Sequence, residues 1–275
     1  MPAARKPART LFGPVGPATA LAGLVLAVAL LWAVMPGLFA THDPYLSVPG
    51  QQLSPPSAAN FFGTDAIGRD LYSRVVHGSV HSLSGALVAT LVGLVAGSAL
   101  GLLSGAIGGV VDEIAMRFVD VLLSIPGLLL ALSIIILLGF GTFNASIAVG
   151  ASAVAAFARL MRSEVIRVRR SDYVEAAVGS GGTLVTVLWR HVLPNSLTSV
   201  IAFSALQFGS AILTLSTLSF LGYGAPPPTP EWGLLVSEGR NYVATAWWLT
   251  AAPGIVVVIV VLAANQLSKS IRGQS

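Results

Sequence analysis

One short stretch of the sequence brings charged, small and turn-forming residues together between two apolar segments. It spans residues 173–195 and reads YVEAAVGSGGTLVTVLWRHVLPN. Glu175 is its one carboxylate, and glycines stand at 179, 181 and 182. The stretch shows no nucleophile with an adjacent base and no set of metal ligands, so its residue types do not indicate catalysis. A compact polar element with apolar Leu184, Val187 and Leu188 instead predicts a docking surface for a soluble partner.

The rest of the chain gives no sign of an active site either. There are no cysteines, which excludes disulfides, zinc–thiolate sites and thiol catalysis. His77 and His81 are an i, i+4 pair, but no third ligand accompanies them, and His42 and His191 stand apart. A phosphate-binding Gly-Lys-Ser/Thr motif is also missing, so we expect no ATP hydrolysis on this chain. We also expect the chain to bind no metal and no cofactor.

The composition is that of a membrane protein. Of the 275 residues, 55% are hydrophobic and only 9% are charged, and the mean hydropathy is +0.82. A soluble domain carries about 25% charged residues. The apolar runs lack the alternation of a β-barrel strand, and backbone groups must be paired within the bilayer, so the sequence predicts an all-α, polytopic protein.

Six transmembrane helices are predicted, at about 19–39, 82–107, 118–139, 142–160, 197–221 and 246–267. The corresponding organisation has four parts. Residues 1–40 hold the N-terminus and first span, 41–81 an extracytoplasmic segment, 82–267 the core with a cytoplasmic loop at 161–194, and 268–275 a tail. Five spans would result if the third and fourth formed one long element.

The basic residues predict the orientation. With a cytoplasmic N-terminus, six spans place 12 of the 15 Lys and Arg residues inside and leave only Arg69, Arg74 and Arg240 outside. The positive-inside rule then puts both termini in the cytoplasm and disfavours five spans. This placement explains the net charge of +4 without nucleic acid. We expect the first span to be an anchor, since its apolar run is too long for a cleaved signal peptide.

The cytoplasmic loop is predicted to be a helix–turn–helix. Its first helix would cover 163–178, with Glu164, Arg167 and Arg170 on neighbouring turns, and its second would cover 183–190. The glycines between them would form the turn, and Pro194 would begin the fifth span. The alternative that the arginines hold the loop against anionic lipid remains open.

Other positions carry structural expectations. Glycines 93, 97, 101, 105 and 109 form a stripe for close helix packing. Asp65–Arg69 and Asp70–Arg74 have the spacing of ion pairs on an amphipathic surface helix, with contact to a delivery protein as the alternative. Asp120 is expected to meet a helix N-terminus. Trp232, Trp247 and Trp248 fit an outer interfacial belt, and the span centres carry no charge, which disfavours a proton- or sodium-coupled transporter.

The docking stretch resembles the EAA motif of ABC importer permeases. Glu175, Ala176, Ala177, Gly181, Leu193 and Pro194 match its fixed positions, and His191 occupies the place of an isoleucine. His191 followed by Val-Leu-Pro-Asn is typical of the dipeptide, oligopeptide and nickel branch. The resemblance implies a six-helix type I ABC importer permease in which these seven residues couple to an ATPase. The loop would then insert into a cleft of that subunit.

The resemblance extends over about residues 40–270. Phe62-Gly63-Thr64-Asp65 and the segment 219–233 are similar to the C-type permease of that branch. Val80 and the Val178-Gly179-Ser180 stretch depart from it, and Gly179 predicts an early end of the first coupling helix.

The family implies a set of partners in a bacterial inner membrane. They are a B-type permease, two cytoplasmic ATPases that bind ATP and Mg, and an extracytoplasmic substrate-binding protein. Peptides are the expected cargo, with nickel or metal chelates as the alternative. A secondary transporter and a membrane scaffold are the alternatives from other classes.

Overall fold

A computed structural model describes residues 16–274, and it is helical almost throughout. Arg5, Lys6 and Arg9, which contribute to the predicted orientation, lie outside these residues. In chain order the α-helices are α1 Pro17–Val34, α2 Pro36–Phe39, α3 Leu71–Ile107, α4 Gly109–Ser124, α5 Gly127–Leu138, α6 Thr142–Arg169, α7 Asp172–Gly179, α8 Leu184–Val187, α9 Leu193–Phe220, α10 Trp232–Gly239 and α11 Trp248–Gln274. A π-helical turn, Leu188–Val192, joins α8 to α9.

Within the described residues, five helices are long and apolar enough to cross a bilayer: Pro17–Val34, Leu71–Ile107, Thr142–Arg169, Val185–Phe220 and Trp248–Ser270. A sixth crossing exists if α4 and α5 are counted as one broken span, since they meet at an angle of 96°. The second span is part of a longer helix than predicted, because α3 begins at Leu71.

The third predicted span is therefore not the continuous helix that we expected over 118–139. Ile125 is extended (φ −92°, ψ 128°) and Pro126 follows it. A residue before proline is pushed out of the helical region, which ends α4 at Ser124. The 12 residues of α5 reach only about 18 Å, and a bilayer core is about 30 Å thick. Neither half crosses alone.

The glycine stripe on α3 packs against α6 as predicted. A Cβ on Gly97 would lie 2.5 Å from the Val154 carbonyl oxygen, and one on Gly101 would lie 2.3 Å from that of Ala158. Gly150 on α6 is matched in the same way, since its Cβ would meet the Val92 Cβ at 2.6 Å. Gly109 does not belong to the stripe, because α3 ends at Ile107 and Gly109 has a φ of +58° with open space around it.

The prediction of a surface helix over residues 65–74 is wrong. Asp65 and Arg69 do pair, with a carboxylate–Nε distance of 2.5 Å, but they lie in a turn before α3. Asp70 is the N-cap of α3 and accepts from the Ser73 amide at 2.7 Å. Its carboxylate is thereby turned away from Arg74, which instead contacts Glu238 of α10 at 3.0 Å.

Asp65, Arg69, Asp70 and Arg74 are buried, Glu238 is half-buried, and two of the three tryptophans predicted for the belt are buried as well. The Arg74 side chain is 0% exposed. Trp232, predicted for the interfacial belt, is also fully buried and donates from Nε1 to the Val75 carbonyl at 2.9 Å. Trp248 is 7% exposed, and Trp247 is the exposed one of the three, at 59%. Segment 41–70, α3 and α10 therefore form one packed layer.

Replacing Gly101 with Ala should separate α3 from α6. The new methyl group meets backbone rather than a movable side chain, so we expect a loss of about 1–3 kcal/mol in stability. Gly23→Ala on α1 is the control, since nothing lies within 4 Å of its Cβ. Thermal unfolding in detergent should show a lower midpoint for Gly101→Ala alone, and equal midpoints would contradict the packing account.

Replacing Arg74 with Met should destabilise the packed layer formed by segment 41–70, α3 and α10. It removes the buried cation that contacts Glu238 at 3.0 Å and Asp65 at 3.8 Å, so that these two carboxylates share Arg69 alone. Breaking a buried pair costs up to about 3–5 kcal/mol. Arg240→Met removes the same charge from an exposed position nearby and should change the unfolding midpoint little. A midpoint for Arg74→Met equal to that of the control would show that the pair does not hold the layer together.

Candidate functional site

The site is a hairpin outside the bundle, formed by α7, the turn after it, and α8 with the π-helical turn. Its first arm differs from the prediction, because the expected helix over 163–178 breaks at Arg170 and Ser171. α6 ends at Arg169, and α7 starts at Asp172. Ser171 has extended backbone angles (φ −85°, ψ 145°), and Ser and Asp favour helix starts over helix interiors. Glu164 and Arg167, which were expected on neighbouring turns, form an ion pair.

The turn uses two glycines for different reasons. Gly181 has a φ of +87°, a left-handed conformation that suits glycine, and its amide donates to the Val178 carbonyl at 3.0 Å. Gly182 lies so close to α7 that a Cβ would come within 2.7 Å of the Ala177 carbonyl oxygen. Gly181 therefore forms the turn that the sequence predicts. α7 ends at Gly179, before this turn.

The second arm is not the separate helix expected over 183–190. It runs through the π-helical turn into α9, so Val185–Phe220 is one continuous helical element. Pro194 lies in the first turn of α9 and has no amide to donate. The wider π turn lies directly before α9, and Asn195 Nδ2 donates to the His191 carbonyl at 2.6 Å. The arm is therefore joined rigidly to a membrane span.

The predicted coupling residues fall on both arms. Glu175 and Ala176 are exposed on α7, Ala177 is half-buried, and Gly181 is exposed in the turn. On the second arm His191 and Leu193 are half-buried and Pro194 is exposed. The rings of Tyr173 and His191 meet edge to face with centroids 6.5 Å apart, which links the two arms.

Glu175 is free to bind a partner. In the described part of the chain its carboxylate has no hydrogen bond and no ion pair, and it does not contact Arg170 within the loop. It borders an apolar groove with a volume of about 340 Å³, between the hairpin and the adjacent end of the bundle. Three buried valines, 174, 187 and 192, line this groove and belong to one apolar cluster with residues of α6.

Sequence reasoning missed two exposed aromatic residues beside Glu175. Trp189 is 64% exposed and Tyr173 is 48% exposed. Large aromatic residues of this kind are enriched at protein–protein interfaces. Their presence in a polar loop was the sequence signal for such an interface, because an aromatic side chain there has no lipid to face.

Asp120 of α4 also has a different environment from the one predicted. Asp120 does not meet a helix N-terminus: it lies toward the C-terminal end of α4 and pairs with Arg159 of α6. The acid in the first turn of α4 is Asp112, whose two oxygens contact Arg162 Nε at 2.5 Å and Nη2 at 2.6 Å. These partners lie far away along the chain, so no local spacing could reveal them.

The described residues combine five apolar helices of spanning length, a bent pair that can count as a sixth, and an exposed hairpin continuous with one of these helices. This is an architecture that suits a membrane transport protein. The chain belongs to the family of binding-protein-dependent transport system inner membrane components, whose model matches residues 97–272. It is thus a membrane-spanning permease subunit of an ABC importer, and its part is transport across the inner membrane rather than catalysis.

Relatives over most of the chain agree with this assignment. The probable D,D-dipeptide transport system permease protein DdpC of Escherichia coli (strain K12) is 40% identical over 93% of this chain and 86% of the relative. The dipeptide transport system permease protein DppC of Alkalihalophilus pseudofirmus is 36% identical over 92% and 84%. The glutathione transport system permease protein GsiD of Pectobacterium atrosepticum is 39% identical over 79% and 72%.

Solved structures share the fold. A chain of the MetNI methionine ABC transporter, in an inward-facing conformation, matches with a TM-score of 0.60 at 16% identity, over 74% of this chain and 96% of that one. A chain of an amino acid ABC transporter crystallised with histidines gives a TM-score of 0.57 at 14% identity, over 74% and 94%. The predicted type I importer permease fold is therefore confirmed.

Two glycine substitutions should affect the hairpin in opposite directions. Gly181→Ala places a side chain at a φ of +87° and should weaken the turn by about 1–2 kcal/mol. Gly179→Ala lies at the end of α7 with open space around it and should strengthen that helix by up to about 1 kcal/mol. Hydrogen exchange over residues 172–192 should rise in the first variant and fall in the second. A change of the same sign in both would contradict the assigned roles.

Proposed function

We propose that this chain carries peptides across a bacterial inner membrane, driven by ATP that is hydrolysed on separate subunits. The names of its relatives support the cargo, since they are transport permeases for D,D-dipeptides, dipeptides and glutathione. They favour peptides over nickel or metal chelates. In this proposal ATP and Mg bind to the partner subunits, and this chain binds no cofactor.

The proposed assembly has four kinds of subunit. This chain pairs with a B-type permease, two ATPases dock on the cytoplasmic side, and an extracytoplasmic binding protein delivers cargo to the other face. Both termini of this chain lie in the cytoplasm, in line with 12 of its 15 basic residues falling inside. The hairpin then faces the ATPases.

One observation carries the proposal: the exposed, unpaired Glu175 lies on a hairpin whose second arm continues into a span. An acidic side chain without a partner is available for a donor on the docking surface of an ATPase. Ala176 adds no bulk, so the partner can approach closely. Movement of the hairpin on ATP binding would reach α9 directly, since Val185–Phe220 is continuous. It would reach α6 through the short break at 170–171.

Charge reversal at Glu175 tests the docking role. We expect Glu175→Arg to reduce peptide uptake at least tenfold and to uncouple ATP hydrolysis from cargo. The reason is that a contact that includes a charged group contributes about 1.5–3 kcal/mol. Membrane insertion should be unchanged. Glu113→Arg is the control, because Glu113 is also exposed, lies on α4, and pairs within the described residues with exposed Arg117.

Uptake of a radiolabelled dipeptide into proteoliposomes and cargo-stimulated ATPase activity are the measurements. Normal uptake by Glu175→Arg would overturn the docking role. The wider proposal also requires that an ATPase and a second permease co-purify with this chain. A chain that purified alone and moved cargo down an ion gradient would contradict it.

A further inference from the structure

A second cavity lies at the inner end of the bundle, where α3, α4 and α6 meet. Its volume is about 420 Å³. Ser104 and Gly108 border it at the α3–α4 junction, and Asp112 borders it from α4. Arg162, Arg169 and Arg170 line the side formed by α6. We call this space the arginine cavity. None of its residues belongs to the EAA motif.

The arginines are held so that part of each guanidinium remains available. Arg162 uses Nε and Nη2 for Asp112, which leaves Nη1. Arg169 uses Nη1 for the carbonyls of Gly105 and Ala106, at 2.8 and 2.7 Å, which leaves Nε and Nη2. Arg170 is exposed, and within the described residues its side chain has no hydrogen bond or ion pair. Arginine carries five donors, so the cavity presents several fixed N–H groups to a ligand.

The net charge of the cavity is positive even though it contains an acid. Asp112 is neutralised by its two-pronged contact with Arg162 and also accepts from Ser104 Oγ. Arg169 and Arg170 remain uncompensated. The N-terminus of α4 borders the same space, and its N-cap, Gly108, offers no side-chain hydrogen bond to the first-turn amides. Free amides and the positive end of the helix dipole add to the attraction for an anion.

The geometry points to the phosphate of an anionic phospholipid as the ligand of the arginine cavity. Planar guanidinium groups match phosphate oxygens in two-pronged contacts, and basic pockets between the inner ends of membrane helices bind lipid headgroups. The adjoining surface favours a lipid over a soluble phosphate: Ile107, Val110 and Ile114 are 58%, 72% and 66% exposed. These side chains suit acyl chains below a bound headgroup.

Lipid bound here would contact α3, α4 and α6 together. It would therefore hold the α3–α4 junction beside the end of α6, directly before the break that leads into the hairpin. This role depends on the cavity and not on the identity of the cargo.

Native mass spectrometry of the whole transporter tests the inference. The complex is purified with its partner subunits and exchanged into phosphatidylcholine with or without phosphatidylglycerol, and separately into phosphatidylcholine with inorganic phosphate. We expect retained phosphatidylglycerol on the native complex, and about fivefold weaker retention for Arg170→Gln. Arg167→Gln is the matched control: it removes the same charge from the same end of α6, but Arg167 does not line the cavity and pairs with Glu164.

The outcomes separate the possible sources of binding. Weaker retention in Arg170→Gln with unchanged retention in Arg167→Gln supports the site. Equal losses in both variants would mean general attraction of a basic surface to an anionic membrane and would overturn it. Retention of inorganic phosphate with no preference for phosphatidylglycerol would assign the cavity to a soluble anion. Absence of any bound phosphatidylglycerol would mean that a partner subunit covers the cavity, and would also refute the inference.

Discussion

Hydrocarbon offers no hydrogen bonds, so each helix break and each charge within this bundle must be satisfied by the protein itself. This constraint explains where the chain departs from regular helices. The break between α4 and α5 packs beside α6, where Gly127 lies near Ser152. Directly before α10, the buried Glu231 accepts from Ser219 Oγ at 2.7 Å and from the Ala225 amide at 2.9 Å. It also accepts from Thr142 Oγ1 at 3.3 Å, which ties the outer loop to α6 and α9.

The hairpin, which is the proposed coupling element, is not under this constraint. A loop outside the bilayer is free to turn, and the chain turns there with Gly181 and Gly182. The two arms leave the turn differently, because one is joined to α6 through a short break and the other is continuous with α9. A force on the hairpin would therefore move α9 as a lever, whereas the break at Arg170 and Ser171 allows α6 to lag. This asymmetry gives a physical route from docking to a change of access.

Structural features that depend on local sequence patterns were predicted well. Apolar length located the five continuous spans but not the break in the third predicted one. The four-residue glycine spacing located the α3–α6 contact, and Gly181 located the turn. Contacts between distant segments were not predictable in this way. Asp70–Arg74 has the spacing of a helical pair, yet Asp70 caps α3 and Arg74 reaches Glu238. Asp120 finds Arg159, and Trp232 is buried because Val75 supplies an acceptor inside the bundle. In each case a partner on another helix outweighed the local pattern.

The central claim is that the tip of the hairpin contacts an ATPase. The chain has no cysteine, so Ser180→Cys creates a unique thiol at the exposed turn without changing a motif residue. A thiol-attached photo-cross-linker on Ser180→Cys should join this chain to the ATPase subunit in the assembled transporter. The same cross-linker on Asn241→Cys, exposed at the opposite end of the bundle, should not. A transporter that takes up peptide normally and yields no cross-link to the ATPase from residue 180 would contradict the account.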